Sequence, residues 1–216
     1  MNNIVIVGAG GFGRDTKTVI DAINSIENKY NLLGYYDDGK LPNTPINNLK
    51  VLGSIKDLAQ TNDKLQVAIA IANPYIREKI ANELVKNTNL TFPNIIHPNN
   101  LPLADFTTLG IGNIVCGFVG ISCNVNFSNF CIVNTLCSIG HDTKLNDFVS
   151  IMPGVNVSGE VVLHKNVYLG VGATVINQVT IHKNVTVGAG AVVVNNITQP
   201  ITVVGVPAKE LKKCND

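Results

Sequence analysis

The residues with the clearest capacity for chemistry are a histidine and an aspartate that stand side by side, His141 and Asp142. They occur in the stretch NTLCSIGHDTKL, within a long run of small and β-branched residues. A free histidine titrates at about pH 6.5, and a neighbouring carboxylate supports it as a proton acceptor. The pair therefore predicts a general base with a tuning partner, and the alternative is an exposed turn.

A second candidate site is the glycine-rich stretch GAGGFG at residues 8–13, which lies between an apolar strand and a helical pattern. It matches G-x-G-x-x-G, in which backbone N–H groups approach a pyrophosphate at a helix N-terminus. Asp37 and Asp38 follow the next strand, where carboxylates can accept hydrogen bonds from a base or ribose. The alternatives are a tight turn without a ligand and a solvated acidic loop.

The glycine-rich pattern alone would also fit an NAD-dependent oxidoreductase. However, the sequence predicts only about four strands in this part of the chain, which is half of a dinucleotide-binding fold. No nicotinamide-binding half follows, and a mononucleotide diphosphate fits the same turn. The oxidoreductase is therefore the weakest interpretation.

The elements that position this first site are strands and helices in alternation, which predict a small parallel sheet with helices on its faces. Apolar runs predict the strands, and apolar residues at helical spacing predict the helices. The predicted strands are 3–7, 32–36 and 66–72, and the predicted helices are 14–26, 54–60 and 75–87.

The second half of the chain, which holds the histidine, follows a strict six-residue period. A bulky apolar residue recurs every six positions without a break, and a small residue follows four positions after each from Val119 to Ala191. The bulky series is Leu103, Leu109, Val115, Ile121, Phe127, Val133, Ile139, Leu145, Ile151, Val157, Leu163, Leu169, Val175, Ile181, Val187 and Val193.

A hexapeptide repeat of this kind predicts a parallel β-helix, in which three short strands form one triangular coil. Sixteen hexads correspond to about five coils. Cys131 and Cys137 fall on the small interior position and are predicted to be packing residues. His164 and His182 lie one coil apart and are predicted to be surface turn residues on a different face from His141.

Composition excludes several classes of protein. The formal net charge is +1 with no basic block, so nucleic acid is not an expected partner. The cysteines are odd in number and form no CxxC pair, which predicts reduced thiols in the cytoplasm. No segment is expected to be a signal peptide or a membrane span, and no metal cluster is expected. The cysteines are Cys116, Cys123, Cys131, Cys137 and Cys214.

The whole chain resembles a family of bacterial sugar acetyltransferases with a left-handed β-helix. The motifs that carry the resemblance are VGAGGFGRD, YYDD, AIANPYIREKI, NTLCSIGHDTKLNDF and VVGVPAKELK, in that order. The family includes sialic acid O-acetyltransferases and N-acetyltransferases of nucleotide-linked amino sugars. The resemblance implies a Rossmann-like nucleotide-sugar-binding domain at 1–98, a left-handed β-helix of about five coils at 99–198 and a tail at 199–216.

The resemblance also assigns roles to individual residues. It implies that His141 is the general base and that Asp142, where most members carry glutamate, tunes it. The implied nucleotide-sugar contacts are Gly10, Gly11, Phe12, Asp37, Asp38, Ala72 and Asn73. The implied coenzyme A contacts are Ser150, Gly159, Val171 and Ala189, with Ser150 at a position where some relatives have histidine.

The expected reaction is direct acetyl transfer from acetyl-CoA to the amino group of a nucleotide-linked 4-amino-4,6-dideoxy sugar, for lipopolysaccharide or O-antigen synthesis. No cysteine or serine has the setting of a covalent nucleophile. The chain is expected to be a cytoplasmic homotrimer with active sites between chains, since a triangular prism with few charges leaves flat faces to cover. The alternatives are O-acetylation of sialic acid or a similar sugar, and a non-catalytic protein that binds a nucleotide sugar or acts as a scaffold.

Overall fold

The computed structural model describes residues 1–100 and 102–212, so Cys214 and the end of the predicted tail lie outside it. The first part of the chain alternates strands and helices, as expected from the sequence. Its elements are β1 (Asn2–Val7), α1 (Gly11–Glu27), β2 (Tyr30–Tyr36), β3 (Pro45–Ile46), β4 (Leu49–Gly53), α2 (Ile55–Ala59), β5 (Leu65–Ile69), α3 (Pro74–Leu84) and β6 (Leu90–Thr91).

These strands form one six-stranded sheet in the order β3-β4-β2-β1-β5-β6. All neighbours are parallel except β3 and β4, which form an antiparallel hairpin. The sheet therefore has more strands than the roughly four expected from the sequence, of which three had been located along the chain. The missed strands β3 and β6 are two residues long, and β4 follows a polar turn, so none of the three has a long apolar run.

Local sequence explains where the helices begin and end. Ser54 and Asp57 form a capping box at the start of α2, and the Asn73 side chain accepts hydrogen bonds from two N–H groups at the start of α3. Helix α1 ends at Asn28, which is left-handed with a φ of 47°. No helix of the described ranges is long and apolar enough to cross a membrane.

The second part of the chain is a β-helix with three faces, built from strands of two or three residues that pair in parallel, apart from the last strand of face 1. Face 1 contains β7 (Ile95–Ile96), β9 (Ile114–Val115), β12 (Ile132–Val133), β15 (Ser150–Ile151), β18 (Tyr168–Leu169), β21 (Thr186–Val187), β23 (Thr202–Val204) and β24 (Lys209–Glu210). Face 2 contains β10 (Gly120–Ile121), β13 (Ser138–Ile139), β16 (Asn156–Val157), β19 (Thr174–Val175) and β22 (Val192–Val193). Face 3 contains β8 (Thr108–Leu109), β11 (Asn126–Phe127), β14 (Lys144–Leu145), β17 (Val162–Leu163) and β20 (Thr180–Ile181).

The interior of the β-helix is built from the two residue series that the sequence revealed. The bulky residues from Phe127 to Val193 and the small residues from Val119 to Ala191 pack into one core, with Cys131 and Cys137 among them. The only polar member of the small series, Thr143, is also buried and donates its hydroxyl to the carbonyl of Ser158. The hexapeptide prediction is therefore confirmed in its period and in its packing.

The corners of the β-helix have a backbone regularity that the hexads do not reveal. Every sixth residue from Phe106 to Gly190 has a φ between 55° and 71°, in the left-handed region. Most of these residues are not glycine, although the left-handed conformation costs conformational free energy in any residue that has a Cβ atom. The turn geometry therefore comes from closure of the coil rather than from local residue preference.

The Rossmann-like part packs against face 1. Outward-pointing side chains of this face, including Ile114, Ile132 and Met152, belong to the same buried cluster as Ile4 and Ile20. Strand β7 already pairs with β9, so the pairing of the β-helix begins before residue 98. The two parts of the chain thus share a continuous apolar core.

Helix α3 lies along the corner that joins face 3 to face 1. The corner residues Phe130, Phe148, Asn166 and Asn184 follow one another at one per coil, since paired strands are offset by 18 residues. The Tyr75 hydroxyl donates to the carbonyl of Asn184 at 3.2 Å. Glu78 accepts from the Asn166 amide at 2.6 Å and pairs with Lys165. The helix therefore contacts several successive coils.

We expect Leu163→Ala to lower the stability of the β-helix strongly. Leu163 is fully buried among interior residues of neighbouring coils, so its truncation leaves a cavity that the stacked coils cannot fill. The expected loss is about 2–5 kcal/mol of unfolding free energy. Thermal and urea unfolding measure it, and Ile26→Ala, at an exposed position on α1, is the matched control. Equal unfolding midpoints for the two variants would contradict this packing.

Candidate active site

His141 lies at the corner that joins face 2 to face 3, between β13 and β14, and its side chain is 55% exposed. Its Nδ1 atom is 2.8 Å from Oδ2 of Asp142. With the Nδ1 proton donated to this carboxylate, the neutral ring has its lone pair on Nε2. The pair therefore has the arrangement of a general base supported by a carboxylate.

Asp142 is held in place by the coil before it. Its Oδ1 atom accepts a hydrogen bond from the Asn124 amide at 2.9 Å, exactly one coil earlier in the chain. The hydrogen bond from His141 and then that from Asn124 lower the pKa of the Asp142 carboxyl from its ordinary value. Asp142 has a φ of 59°, a conformation that Asp and Asn adopt more readily than most residues.

Gly159 forms the surface on which the imidazole rests. A Cβ atom at this position would lie 2.6 Å from Nε2 and 2.7 Å from Cε1 of His141. Only glycine leaves room for the ring in its observed position. Sequence reasoning proposed Gly159 as a coenzyme A contact, and the structure places it directly beside Nε2 of the candidate base.

An open groove of about 500 Å³ runs along face 2 next to this corner. The residues that line it are uncharged, and they come from equivalent positions of successive coils. They are Gly120, Ile121, Ser122, Ser138, Ile139, Gly140, Asn156, Val157 and Ser158. The groove therefore offers an open surface without charge, and one of its lining residues, Gly140, directly precedes His141.

The other three predicted coenzyme A residues lie elsewhere. Val171 and Ala189 are exposed and stack one coil apart at the corner between face 1 and face 2, away from the corner of His141. Ser150 is fully buried, and its hydroxyl accepts from Arg77 and donates to the carbonyl of Ala72, both at 2.8 Å. The Ser150 side chain is thus enclosed within the chain, and its role as a coenzyme A contact stays a prediction.

The glycine-rich turn contains glycines of two kinds. Gly13 and Gly8 are required by the fold, because a Cβ on Gly13 would lie 1.8 Å from the carbonyl oxygen of Gly8, which itself has a φ of 100°. A Cβ on Gly10 or Gly11 would meet nothing within 4 Å. Gly10 is the N-cap of α1 and has no side-chain cap. The fold therefore leaves open space above the N-terminus of a 17-residue helix.

The acidic pair makes bonds within the protein. Asp37 accepts from the N–H of Ala9 at 2.7 Å and from the N–H of Gly39 at 2.8 Å. Asp38 accepts from the N–H of Ile55 at 2.8 Å. Asp37 thus connects the glycine-rich turn to the end of β2. Asp37 and Asp38 each use some of their oxygen lone pairs in these internal hydrogen bonds.

Asp37 and Asp38 also line a cavity of about 310 Å³ at the carboxyl end of the sheet. Its floor is apolar, with isoleucines from α2, α3 and the loop after β5, and Lys79 and Glu83 complete its wall. Ligands of open α/β sheets bind at this edge. The acidic pair therefore lies where the sequence predicted a nucleotide site.

The remaining predicted substrate residues surround the same sheet edge. Phe12 is half-buried in the first turn of α1, and its carbonyl accepts from the Thr16 hydroxyl at 2.9 Å. Ala72 and Asn73 follow β5, and the side-chain Oδ1 atom of Asn73 caps α3 by accepting from the N–H groups of Tyr75 and Ile76. The Asn-Pro start of α3 is a cap signal that sequence reasoning did not use for Asn73.

The buried cysteines have the properties of packing residues. Burial raises the pKa of the Cys116 and Cys131 thiols to about 12 and also raises that of Cys137. Thiols of this kind are poor nucleophiles at neutral pH. Among the described residues, no group of three or more His, Cys, Asp or Glu side chains could hold a metal ion.

The predicted surface histidines also lie where expected. The rings of His164 and His182 are 6.2 Å apart at the corner between face 3 and face 1, one coil apart. His164 contacts the Asn146 amide at 3.2 Å. They lie at a different corner from His141.

The two candidate ligand sites lie on opposite sides of one chain. The Rossmann-like part covers face 1, whereas His141 is at the corner between face 2 and face 3. In a triangular prism this corner is opposite face 1. A ligand held by the glycine-rich turn is therefore separated by the β-helix from the His141 of the same chain.

Two residues that matter for this geometry were missed from the sequence. Asn124 supports Asp142 from the preceding coil, and the 18-residue spacing could have identified it. Arg77 joins the loop after β5 to the β-helix, and no pattern in the sequence indicates its partners.

Comparison with known proteins agrees with this architecture. Residues 3–84 match the family model of the PglD N-terminal domain. The GDP-perosamine N-acetyltransferase of Escherichia coli O157:H7 is 31% identical over 170 residues, which cover 79% of this chain and 76% of that protein.

Solved structures resemble the chain over nearly its full length. The acetyltransferase domain of PglB from Neisseria gonorrhoeae FA1090, in complex with acetyl coenzyme A, has a TM-score of 0.86 and 28% identity and covers 98% of this chain and 100% of that one. A histidine-to-asparagine variant of perosamine N-acetyltransferase from Caulobacter crescentus, in complex with CoA and GDP-perosamine, has a TM-score of 0.87 and 26% identity and covers 99% and 98%. With its Rossmann-like part, its hexapeptide β-helix and these relatives, the chain belongs to the left-handed β-helix family of acetyl-CoA-dependent sugar acetyltransferases.

Proposed function

We propose that the protein transfers an acetyl group from acetyl-CoA to the amino group of a nucleotide-linked 4-amino-4,6-dideoxy sugar. The observation that carries this proposal is the bond between His141 Nδ1 and Asp142 Oδ2, which leaves Nε2 against Gly159 at an exposed corner. Two of the relatives, from Escherichia coli O157:H7 and Caulobacter crescentus, are perosamine N-acetyltransferases by name, which supports transfer to nitrogen.

The nucleotide end of the substrate would lie at the glycine-rich turn. The open space above Gly10 and Gly11 is the space that a diphosphate needs to approach the first N–H groups of α1. The apolar cavity beside Asp37 and Asp38 would take the base or ribose, with the remaining lone pairs of the carboxylate oxygens as acceptors. Ala72 and Asn73, at the end of β5, would complete this part of the site.

Acetyl-CoA would lie along the β-helix. The uncharged groove on face 2 suits an extended pantetheine chain and ends beside His141. Gly159 would present its N–H to the thioester oxygen as negative charge develops there. Val171 and Ala189, at the neighbouring corner, would contact coenzyme A where a second chain packs against that corner.

The reaction requires one proton transfer at the histidine. The sugar nitrogen attacks the thioester carbon, a C–N bond forms and the C–S bond breaks. Nε2 of His141 takes the proton that the nitrogen loses, and the coenzyme A thiolate leaves and is protonated. Asp142 stabilises the imidazolium that forms in this step, because its carboxylate accepts from Nδ1.

We propose that the working unit is a homotrimer whose active sites lie between chains. The argument is the opposite placement of the two half-sites: the nucleotide turn is on the side of face 1, and His141 is at the far corner. A second copy can bring its His141 to the first chain's nucleotide turn. In a trimer with three β-helices around one axis, every chain packs against two neighbours, so each nucleotide turn can meet the His141 of an adjacent chain.

We also propose that the reaction belongs to lipopolysaccharide or O-antigen synthesis and takes place in the cytoplasm, where acetyl-CoA and nucleotide sugars are made. The direct test of the activity is a panel of nucleotide-linked amino sugars, with GDP-perosamine first, incubated with acetyl-CoA. Mass analysis of the products would show one added acetyl group on nitrogen. Acetylation of sialic acid alone, or coenzyme A binding without any turnover, would overturn the proposal.

We expect His141→Asn to lower the turnover number by about 10²–10⁴-fold, which is the usual contribution of a general base. The side chain points to solvent, so the fold should persist, and circular dichroism checks this. Binding of coenzyme A and of the nucleotide sugar should also persist, as calorimetry can measure. Near-normal turnover of this variant on the confirmed substrate would mean that the pair is only a turn.

We expect Asp142→Asn to lower turnover less than His141→Asn and to shift the acid limb of the pH–rate profile to lower pH. Asparagine also adopts the left-handed turn, so the corner is preserved. The hydrogen bond from His141 lowers the pKa of the Asp142 carboxyl, so the carboxylate and the protonated ring stabilise each other, and loss of the carboxylate should move the acid limb to lower pH. An acid limb that moves to higher pH would contradict this role of the carboxylate.

We expect two inactive variants to restore activity when they share an oligomer. Gly10→Asp places a favoured N-cap residue on α1, so the helix is retained. The aspartate side chain would occupy the diphosphate site, and its negative charge would repel the diphosphate. His141→Asn removes the base. Co-expressed in equal amounts, the two chains should recover about a quarter of the wild-type turnover if each site combines two chains.

The control for this experiment is the pair of variants purified separately, together with a double variant that carries both changes. Light scattering should give the mass of three chains for all of them. Recovery of no activity in mixed oligomers would place the nucleotide turn and the base of one site in the same chain, and a monomeric mass would refute the trimer.

A further inference from the structure

Arg77 is an arginine on α3 that is only 1% exposed. Within residues 1–100 and 102–212, no carboxylate forms an ion pair with its guanidinium. Oxygen atoms of the backbone and one hydroxyl surround it instead. Nε donates to Phe130 at 2.9 Å, Nη1 donates to Ile71 and to Ala72 at 3.2 Å, and Nη2 donates to Phe148 at 2.7 Å, to Val149 at 3.2 Å and to the Ser150 hydroxyl at 2.8 Å.

This coordination explains why a buried charge is tolerated. Burial lowers the pKa of Arg77 to about 10, so the side chain stays charged at neutral pH. A buried charge without a counterion is strongly unfavourable unless its donors are satisfied. The planar guanidinium meets this need with five donors in fixed directions, which a lysine cannot reproduce.

The acceptors come from both parts of the molecule. Ile71 and Ala72 belong to the loop between β5 and α3, and Ile71 also lines the cavity beside the acidic pair. Phe130 and Phe148 are equivalent corner residues of two successive coils, with stacked rings 5.5 Å apart. The guanidinium therefore joins the edge of the nucleotide cavity to a defined pair of coils.

Ser150 closes this junction. Its hydroxyl accepts from Arg77 and donates to the carbonyl of Ala72, so the loop is bonded to the β-helix both directly and through the arginine. The loop carries Ala72 and Asn73, which the proposed function places at the substrate. In the proposed trimer, where the three β-helices lie side by side around one axis, the height of this loop along its own β-helix sets which coil of the neighbouring chain faces the sugar.

We propose that Arg77 is a positioning residue for acetyl transfer. It holds the loop after β5 at one height along the β-helix, so that the amino group of the bound sugar is presented in register with the base. This inference rests on the proposed function and names a residue that acts through the loop and touches no substrate. A displacement of about 1 Å at the reacting atoms is enough to cost about 10²-fold in rate.

The test compares Arg77→Lys and Ser150→Ala with the wild-type chain. Lysine keeps the charge but reaches only some of the acceptors, and alanine removes the bonded hydroxyl while Arg77 stays. The turnover number per coenzyme A-binding site, with GDP-perosamine or the sugar confirmed by the panel, should fall by about 10–100-fold in Arg77→Lys and less in Ser150→Ala. KM for acetyl-CoA should stay unchanged in both.

Tyr75→Phe is the matched control, because it removes another hydrogen bond between α3 and the β-helix without touching the loop. It should keep the wild-type turnover number. Normalisation to coenzyme A-binding sites removes the effect of unfolded protein, so a purely structural role predicts unchanged turnover per site. That result would overturn the proposal, and so would a raised KM for acetyl-CoA in Ser150→Ala.

If Arg77→Lys does not fold, Ser150→Ala alone tests the inference. Unchanged turnover per coenzyme A-binding site in this variant would overturn it. Failure of the proposed function has a different signature. In that case the wild-type protein itself acetylates no nucleotide-linked amino sugar, whatever residue stands at position 77.

Discussion

The 18-residue coil determines which side chains can meet on the surface of the β-helix, because parallel pairing places residue n beside residue n + 18. The Asn124–Asp142 hydrogen bond, the contact of His141 with Gly159 and the stacked rings of Phe130 and Phe148 all follow this offset. The base is thus assembled from three consecutive turns of one corner. Each turn supplies one component: an amide, the acid–base pair, or a glycine surface.

Much of this architecture could be predicted from the sequence, because the signals were periodic or local. The hexads identified the β-helix and its interior, since a six-residue period has no other regular explanation. The histidine stood out because its neighbour is a carboxylate and because it lies outside the apolar series. The glycine-rich turn was recognised from its position between a strand and a helix, and the structure separates its structural glycines, such as Gly13, from the open ones, such as Gly10.

The rest depended on how two separately patterned parts pack together. In the hexad pattern Ser150 takes an outward-facing position of its strand. The Rossmann-like part packs on face 1 and thereby encloses Ser150 together with Arg77. Asp37 has internal partners because the glycine-rich turn folds back toward the end of β2. The opposite placement of the nucleotide turn and His141 likewise follows from the choice of face. Sequence periodicity defines three faces but does not reveal which one is covered.

The docking of α3 along one corner limits how the β-helix can change in length during evolution. The helix contacts coils from Phe130 to Asn184, and His141 lies within this span. Duplication of one coil inside the span would move part of these contacts by about 4.8 Å, and a duplication between Phe130 and Ser150 would also change the height of the loop after β5 relative to the base. Duplication beyond Asn184 would leave both in register. Gene lengthening in this family should therefore be tolerated at the C-terminal end of the β-helix and selected against in its middle.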